Sequence, residues 1–185
     1  MKTWACVFIL LCSQELSLGC KWVHYNFGRV SEETLSLLRE MGGELVHDRM
    51  AVPFPIKSYK NAGDFKSEEK IMFIHEVISH IRHLYSGNTD AVNWDAIKLE
   101  MFQLDLHRQD LELDQCRKTM KSDTLRSSRK ESKKINRHFK DVENLLKSKD
   151  RSHAWEVVRT LVWRHLQRLD LLAVSIRRDK STAQS

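Results

Sequence analysis

Proline and glycine are nearly absent from the last two-thirds of this 185-residue chain. The only two prolines lie together at Pro53 and Pro55, and after Gly63 the only glycine is Gly87. Because these residues interrupt helices and form tight turns, about 120 residues can run as helix almost without a break. The pattern disfavours β-sandwiches and enzymes with glycine-rich nucleotide loops, and it predicts an all-α globular domain.

The first 19 residues have the features of a secretory signal peptide. A positive charge at Lys2 precedes nine apolar residues at 4–12. Ser17-Leu18-Gly19 then has the small-x-small pattern of a signal-peptide cleavage site. Nine residues cannot span a bilayer, and no later segment approaches 18 uninterrupted apolar residues. We therefore expect a signal peptide at 1–19, a secreted extracellular protein and no membrane insertion.

Removal of this leader takes two of the four cysteines with it and leaves Cys20 and Cys116. In the oxidising secretory pathway two cysteines allow one intramolecular disulfide. Closing a loop of this length stabilises a fold by about 4 to 5 kcal/mol in the chain-entropy model. The alternative at this point is a pair of buried free thiols.

Apolar residues at helical spacing predict five helices. The first begins with Ser31 as its N-cap and ends at Gly42-Gly43, and residues 44–66 are predicted to be a long loop. The second helix begins at Ser67, and the third follows a cap at Thr89-Asp90. The predicted apolar faces of the second, third and fourth helices are, in turn, Ile71, Ile74, Ile78, Ile81 and Tyr85; Ile97, Met101, Leu104, Leu111 and Cys116; and Ile135, Phe139, Val142 and Leu146.

The last helix is predicted to begin near Ser152. Its core-facing stripe is Trp155, Val158, Val162, Leu166, Leu169, Ala173 and Ile176. The helical domain is expected to span 20–178, followed by a flexible tail at 179–185.

A second row of side chains lies beside this stripe. Arg159, Trp163 and Gln167 follow one another at four-residue spacing, with Thr160 and Arg164 next to them. An exposed tryptophan between arginines is typical of a protein interface. The alternative is that Trp163 only covers the seam against a neighbouring helix.

Charge is distributed unevenly, with a net charge of −5 over residues 20–116 and +11 over residues 117–185. The fourth helix is the most basic segment, and Lys133, Lys134 and Arg137 are candidates for binding a polyanion such as heparan sulfate. An acidic protein partner and a simply solvated face are the alternatives. Secretion disfavours nucleic acid.

Catalytic and metal-binding motifs are not indicated. His75 and His80 are five residues apart on a helix, which separates the imidazoles by about 140°, whereas zinc proteases need a spacing of four. No nucleophile elbow or phosphate-binding loop occurs. We therefore expect no enzymatic activity, no metal and no cofactor.

Two segments resemble one family. His153-Ala154-Trp155-Glu156-Val157-Val158-Arg159 resembles the Cys-Ala-Trp-Glu signature helix of type I interferons. Residues 45–55, with Asp48-Arg49 and Phe54-Pro55, resemble the loop after that family's first helix. The likeness runs in helix order over the mature chain. It implies a four-helix-bundle cytokine, in which Ala154, Trp155, Glu156 and Val158 belong to the signature helix and its core.

The resemblance also implies a function. Type I interferons are monomeric secreted cytokines that bridge two receptor chains of the class II cytokine type and trigger antiviral innate immunity through JAK–STAT signalling. The high-affinity chain is expected at the loop and signature helix, and the second chain on the second and third helices. The expected contacts, including those of the periodic row, are Val46, Arg49, Arg159, Thr160, Trp163, Arg164 and Gln167.

Two departures from the mammalian pattern occur together. Leu45 and His153 stand where most mammalian members have the cysteines of a second disulfide. The chain therefore resembles the fish-type subgroup with one bridge, in which Cys20 and Cys116 are joined. Another secreted helical cytokine, or an amphipathic helical protein that binds heparin or lipid, remains the alternative.

Overall fold

The computed structural model describes residues 20–46, 51–87, 89, 91–120 and 128–183, and only the backbone of 180–183. The signal peptide prediction lies outside this part of the chain. In the described residues all regular secondary structure is helical, as predicted. The helices are α1 (Lys21–Tyr25), α2 (Phe27–Glu40), α3 (Ile56–Gly63), α4 (Ser67–Tyr85), α5 (Ala96–Lys118), α6 (Ser128–Leu145) and α7 (Arg151–Ala183).

The amino-terminal helix begins earlier than predicted. Ser31 does not cap it but lies buried inside α2. Apolar side chains upstream, including Phe27 and Val30, pack into the core at helical spacing and extend the helix toward the amino terminus. Its carboxyl end is close to the prediction, because α2 stops at Glu40, just before Gly42 and Gly43.

The predicted loop at 44–66 contains a helix, α3, so that prediction was wrong for residues 56–63. Pro55 is the residue before its first turn, a place where the missing N–H of proline does no harm. Tyr59 and Ala62 are buried and hold α3 on the bundle.

Helix α5 differs from its prediction in both start and orientation. It begins at Ala96, because the Asp95 carboxylate accepts hydrogen bonds from the Ile97 and Lys98 amides, each 3.0 Å long. Thr89 lies before this helix, and Asp90 lies outside the described residues. The predicted apolar face, except Cys116, is exposed: Ile97, Met101, Leu104 and Leu111. The buried face carries Phe102, Leu106, Gln109, Leu113 and Cys116.

The other long helices follow the predictions. Helix α4 begins at Ser67, and the predicted core residues Ile135, Phe139 and Val142 of α6 are buried. The fourth predicted residue, Leu146, follows the end of α6 and is only half-buried. All seven predicted core residues of α7 are buried as well. Helix α7 continues to Ala183, so the domain boundary predicted at 178 falls inside it.

Helix α4 is the centre of the bundle and packs against α5, α6 and α7, while α2 packs against α5 and α7. The Cys20–Cys116 disulfide, with Cα atoms 5.1 Å apart, joins the residue before α1 to the end of α5, as predicted. None of the described helices is both long and apolar enough to cross a bilayer.

Candidate functional site

Arg159 is the most buried charged side chain of the signature helix, with an exposure of 0%. Its guanidinium donates hydrogen bonds to four main-chain carbonyls from the end of α2 and the turn after it. The acceptors are Leu38 O (3.2 Å), Arg39 O (3.2 Å), Gly43 O (2.6 Å) and Glu44 O (3.3 Å). The last carbonyls of a helix lack partners within the helix, so Arg159 satisfies them.

Arg159 was predicted to contact the receptor, and the structure places it fully buried instead of on the surface. It lies four residues after Trp155, on the side of α7 that faces the end of α2. A fully buried side chain cannot touch a partner unless the fold rearranges. Arg159 instead fixes the position of the segment that carries the predicted receptor loop.

Glu156, whose role the sequence leaves open, completes this cluster. Its carboxylate accepts hydrogen bonds from Arg159 Nε at 2.9 Å and from the indole Nε1 of Trp94 at 2.6 Å. The Trp94 ring also lies against the Arg159 guanidinium, 5.9 Å from ring centroid to Cζ. Glu156 thus connects α7 to the segment before α5.

The sequence does not single out Trp94. Its only signal is one bulky aromatic residue between the polar residues Asn93 and Asp95. Gly42 is explained by the same cluster, because a Cβ there would lie 2.8 Å from Trp94 Cδ1 and 3.0 Å from Arg159 Cζ. The cluster requires glycine at this position for space.

Thr160 is also buried and also holds the loop. Its hydroxyl donates to the Glu156 carbonyl (3.1 Å) and accepts a hydrogen bond from the Val46 amide (3.1 Å). The predicted loop residue Val46 is therefore fastened to α7 through its backbone. Arg49 lies outside the described residues.

The accessible part of the predicted row is its carboxyl-terminal half. Trp163 and Arg164 are half-buried and Gln167 is exposed. Trp163 packs against the core while keeping part of its surface in solvent, so it both covers the seam and remains available. The guanidinium carbon of Arg164 lies 4.6 Å from the centroid of the Phe54 ring. Loop and signature helix therefore form one continuous surface.

Buried histidines lie beneath Phe54. Nδ1 of His165 is 2.6 Å from the Tyr59 hydroxyl, and its Nε2 is 2.9 Å from Nε2 of His138. Burial lowers the pKa of His138 to about 4, and burial followed by the charge of His138 lowers the pKa of His165 well below its ordinary value. Both rings are neutral at pH 7, and they connect α3, α6 and α7.

The signature residues Ala154, Trp155 and Val158 are buried, as predicted for the core. The Trp155 ring packs against Tyr85 and Trp94, with centroids 5.3 and 5.8 Å away. This aromatic cluster stabilises the part of α7 that carries Glu156 and Arg159.

The basic residues singled out on α6 are exposed: Lys133, Lys134 and Arg137. Lys134 differs from the other two because its ammonium forms an ion pair with Glu131 at 2.8 Å. At 100° per residue, five exposed cations share one face of α6. They are Arg129, Lys130, Lys133, Arg137 and Lys140.

His75 and His80 of α4 have structural partners. Nε2 of His75 lies 3.4 Å from Asp110, and the His80 ring stacks on Phe139 at 4.8 Å. In the parts of the chain that the structure describes, no three His, Cys, Asp or Glu side chains are grouped so that they could hold a metal ion.

Interferons share this sequence pattern and this fold. Residues 23–176 match the family model described as the Interferon alpha/beta domain. The chain is 35% identical over 179 residues to interferon a3 of Oncorhynchus mykiss, covering 95% of this chain and 98% of the relative. It is 26% identical over 165 residues to human interferon alpha-14, covering 85% of this chain and 86% of the relative.

A solved structure, zebrafish interferon 1, superposes with a TM-score of 0.77 at 32% identity, covering 85% of this chain and 100% of that one. The match confirms the helical cytokine fold. The chain therefore belongs to the interferon alpha/beta family and is a type I interferon, a cytokine rather than an enzyme.

Proposed function

We propose that this interferon is secreted, acts as a monomer and bridges two class II cytokine receptor chains, which triggers JAK–STAT antiviral signalling. The observation that carries the proposal is the single surface formed by the loop and α7, with Arg159 and Thr160 holding the two together. The protein needs no chemistry of its own, because bringing two receptor chains together is enough to start the signal.

Within this surface the predicted contacts divide into two roles. Val46, Trp163, Arg164 and Gln167 keep accessible surface and are proposed to touch the high-affinity receptor chain. Arg49 joins them by the family resemblance. Arg159 and Thr160 are proposed as positioning residues, since both are buried under the loop that they hold.

The second receptor chain is proposed to bind the exposed face of α5. Large apolar side chains rarely stay in water as a contiguous stripe unless a partner covers them. Four such side chains share one face of α5 within about 80° of rotation. They are Ile97, Met101, Leu104 and Leu111, whose exposures range from 44% to 71%.

We also propose that the chain belongs to the single-disulfide, fish-type subgroup. The Cys20–Cys116 bridge and the non-cysteine residues at Leu45 and His153 support this assignment. The hydrogen bonds that Thr160 accepts from the Val46 amide and that Arg159 donates to the Glu44 carbonyl link the loop to α7, where a second disulfide would otherwise do so.

The test applies recombinant 20–185 to cells of a responsive species and measures antiviral transcripts within hours. We expect a rise that disappears when either receptor chain is deleted. A response that persists in both deletions would contradict the receptor-bridging function.

A second partner, heparan sulfate, is proposed for the basic face of α6. Five cations on one side of a helix form a stripe that suits a linear sulfated chain. Replacing three of these five cations, Lys133, Arg137 and Lys140, by Gln should lower the salt concentration that elutes the protein from heparin. Replacing Lys57, Lys66 and Lys98 by Gln changes the net charge equally and is the control. Equal shifts in the two variants would show that the affinity for heparin depends on net charge alone and not on the basic face of α6.

A further inference from the structure

Two highly exposed apolar side chains of the described residues meet in one groove. Ile56 of α3 is 55% exposed and Leu171 of α7 is 58% exposed, and both line a groove of about 330 Å³ between the two helices. Gly63, which has no side chain, and the buried Leu172 continue its apolar wall. Residues 115 positions apart in sequence thus create an apolar recess that neither helix has alone.

The edges of the groove are basic. Lys60 of α3 and Arg168 of α7 are both exposed and line it from opposite helices. Neither forms an ion pair with any residue in the described ranges. An apolar centre with a charged edge is the arrangement found at binding hot spots, where the edge selects the partner and the centre supplies affinity.

The groove continues the surface already assigned to the receptor. On α7, Arg164, Gln167 and Leu171 follow at spacings of three and four, which places them within about 60° of rotation. On the other side, Phe54 under Arg164 is two residues before Ile56 in the chain. A partner that covers Trp163 and Gln167 reaches Leu171 by extending one turn along the helix.

We propose that the high-affinity receptor chain extends into this groove and inserts an apolar side chain flanked by carboxylates. The carboxylates pair with Lys60 and Arg168, and the apolar side chain packs between Ile56 and Leu171. This inference rests on the proposed function, because it assigns the groove to the receptor chain that binds the loop and α7.

The experiment measures competition between labelled wild-type 20–185 and unlabelled variants on responsive cells. Leu171→Ser and Ile56→Ser change exposed residues, so circular dichroism should stay unchanged. We expect each to weaken binding about 5- to 10-fold. Tyr25→Ser, an equally drastic change at a residue of α1 that is 77% exposed, is the matched control and should stay within about 2-fold.

Charge reversal provides an independent readout. Lys60→Glu and Arg168→Glu should slow association, and the loss should shrink as salt concentration rises, because electrostatic attraction speeds encounter between partners. A purely structural role for the groove would give no salt-dependent change in the association rate.

The outcomes separate this inference from the function on which it rests. If Trp163→Ala weakens binding and all four groove variants bind like wild type, the groove assignment is overturned and the receptor surface stands. If groove variants lose affinity and Trp163→Ala does not, the groove is supported and the assignment of Trp163 fails. If wild-type protein does not bind responsive cells, both fail.

Discussion

The Arg159 guanidinium donates a 2.6 Å hydrogen bond to the carbonyl oxygen of Gly43, which lies 116 residues earlier in the chain. Three further carbonyls at the end of α2 and in its turn accept from the same group. The start of the loop that we propose as a receptor contact is therefore held by a fully buried residue of α7.

Replacing Arg159 by Ala should lower the free energy of unfolding by about 3 kcal/mol, because it leaves buried carbonyls and part of Glu156 without donors. Urea unfolding measures the loss. Lys133→Ala, which removes an exposed cation, is the control and should change stability by less than about 0.5 kcal/mol. Equal stability of the Arg159→Ala protein and wild type would contradict the role of the cluster.

Gly42→Ala and Gly43→Ala form a matched pair of adjacent substitutions. Neither glycine has a positive φ angle, so backbone strain plays no part. A Cβ at Gly42 meets the Trp94 ring at 2.8 Å, whereas a Cβ at Gly43 meets nothing within 4 Å. Gly42→Ala should cost about 2 kcal/mol in thermal or urea unfolding and Gly43→Ala should be nearly neutral. A larger loss of stability from Gly43→Ala than from Gly42→Ala would contradict the close packing of Gly42 against Trp94.

Acidification should destabilise the fold through the buried histidines. The pKa of His138 is about 4 in the folded chain, against an ordinary value of 6.5, so between these values the unfolded chain binds the proton more strongly. The stabilisation that neutral His138 provides is present above pH 6.5 and is lost as the pH falls toward 4, by about 3 kcal/mol. His165 acts in the same direction.

Urea unfolding at pH 7, 5 and 4 measures this loss. The difference between wild type and His138→Gln isolates it from carboxylates such as Glu76 and Asp105, whose pKa values are raised by burial and whose effect has the opposite sign. We expect a shallower pH dependence in His138→Gln. Parallel pH profiles for the two proteins would show that His138 does not contribute to the pH dependence of stability.

Leu104→Ser should separate signalling from high-affinity binding. Leu104 lies on α5, on the face proposed for the second receptor chain, and is exposed. The substitution should reduce the potency of antiviral transcript induction about 5-fold or more and leave cell-surface affinity for the first chain unchanged. Tyr25→Ser controls for the loss of an exposed apolar residue. Unchanged potency would rule out this part of α5 as the second surface.

Long, strongly patterned segments could be predicted from sequence and others could not. The stripe of α7 from Trp155 to Ile176 is buried as expected, because its apolar residues recur on one side only. Helix α5 carries apolar residues on both sides, so periodicity alone does not distinguish the face of Leu104 from that of Leu106. The exposed set was predicted as core for that reason.

The burial of Arg159 could not be predicted for a different reason. Its position one turn after Trp155 is compatible with the core, but a buried guanidinium requires acceptors. Those acceptors are main-chain carbonyls near Leu38 and Gly43, and carbonyls leave no pattern in the sequence. The loop and signature helix could still be paired by family resemblance, while Trp94 and the groove beside Leu171 depend on tertiary packing.

The most direct test of the receptor surface is the affinity of Trp163→Ala for responsive cells, measured beside its thermal unfolding midpoint. Trp163 is half-buried on α7 and also packs against the core, so the unfolding midpoint separates loss of partner contact from loss of stability. We predict binding at least about 10-fold weaker with the helical content unchanged. Wild-type affinity and full antiviral induction by this variant would contradict the account.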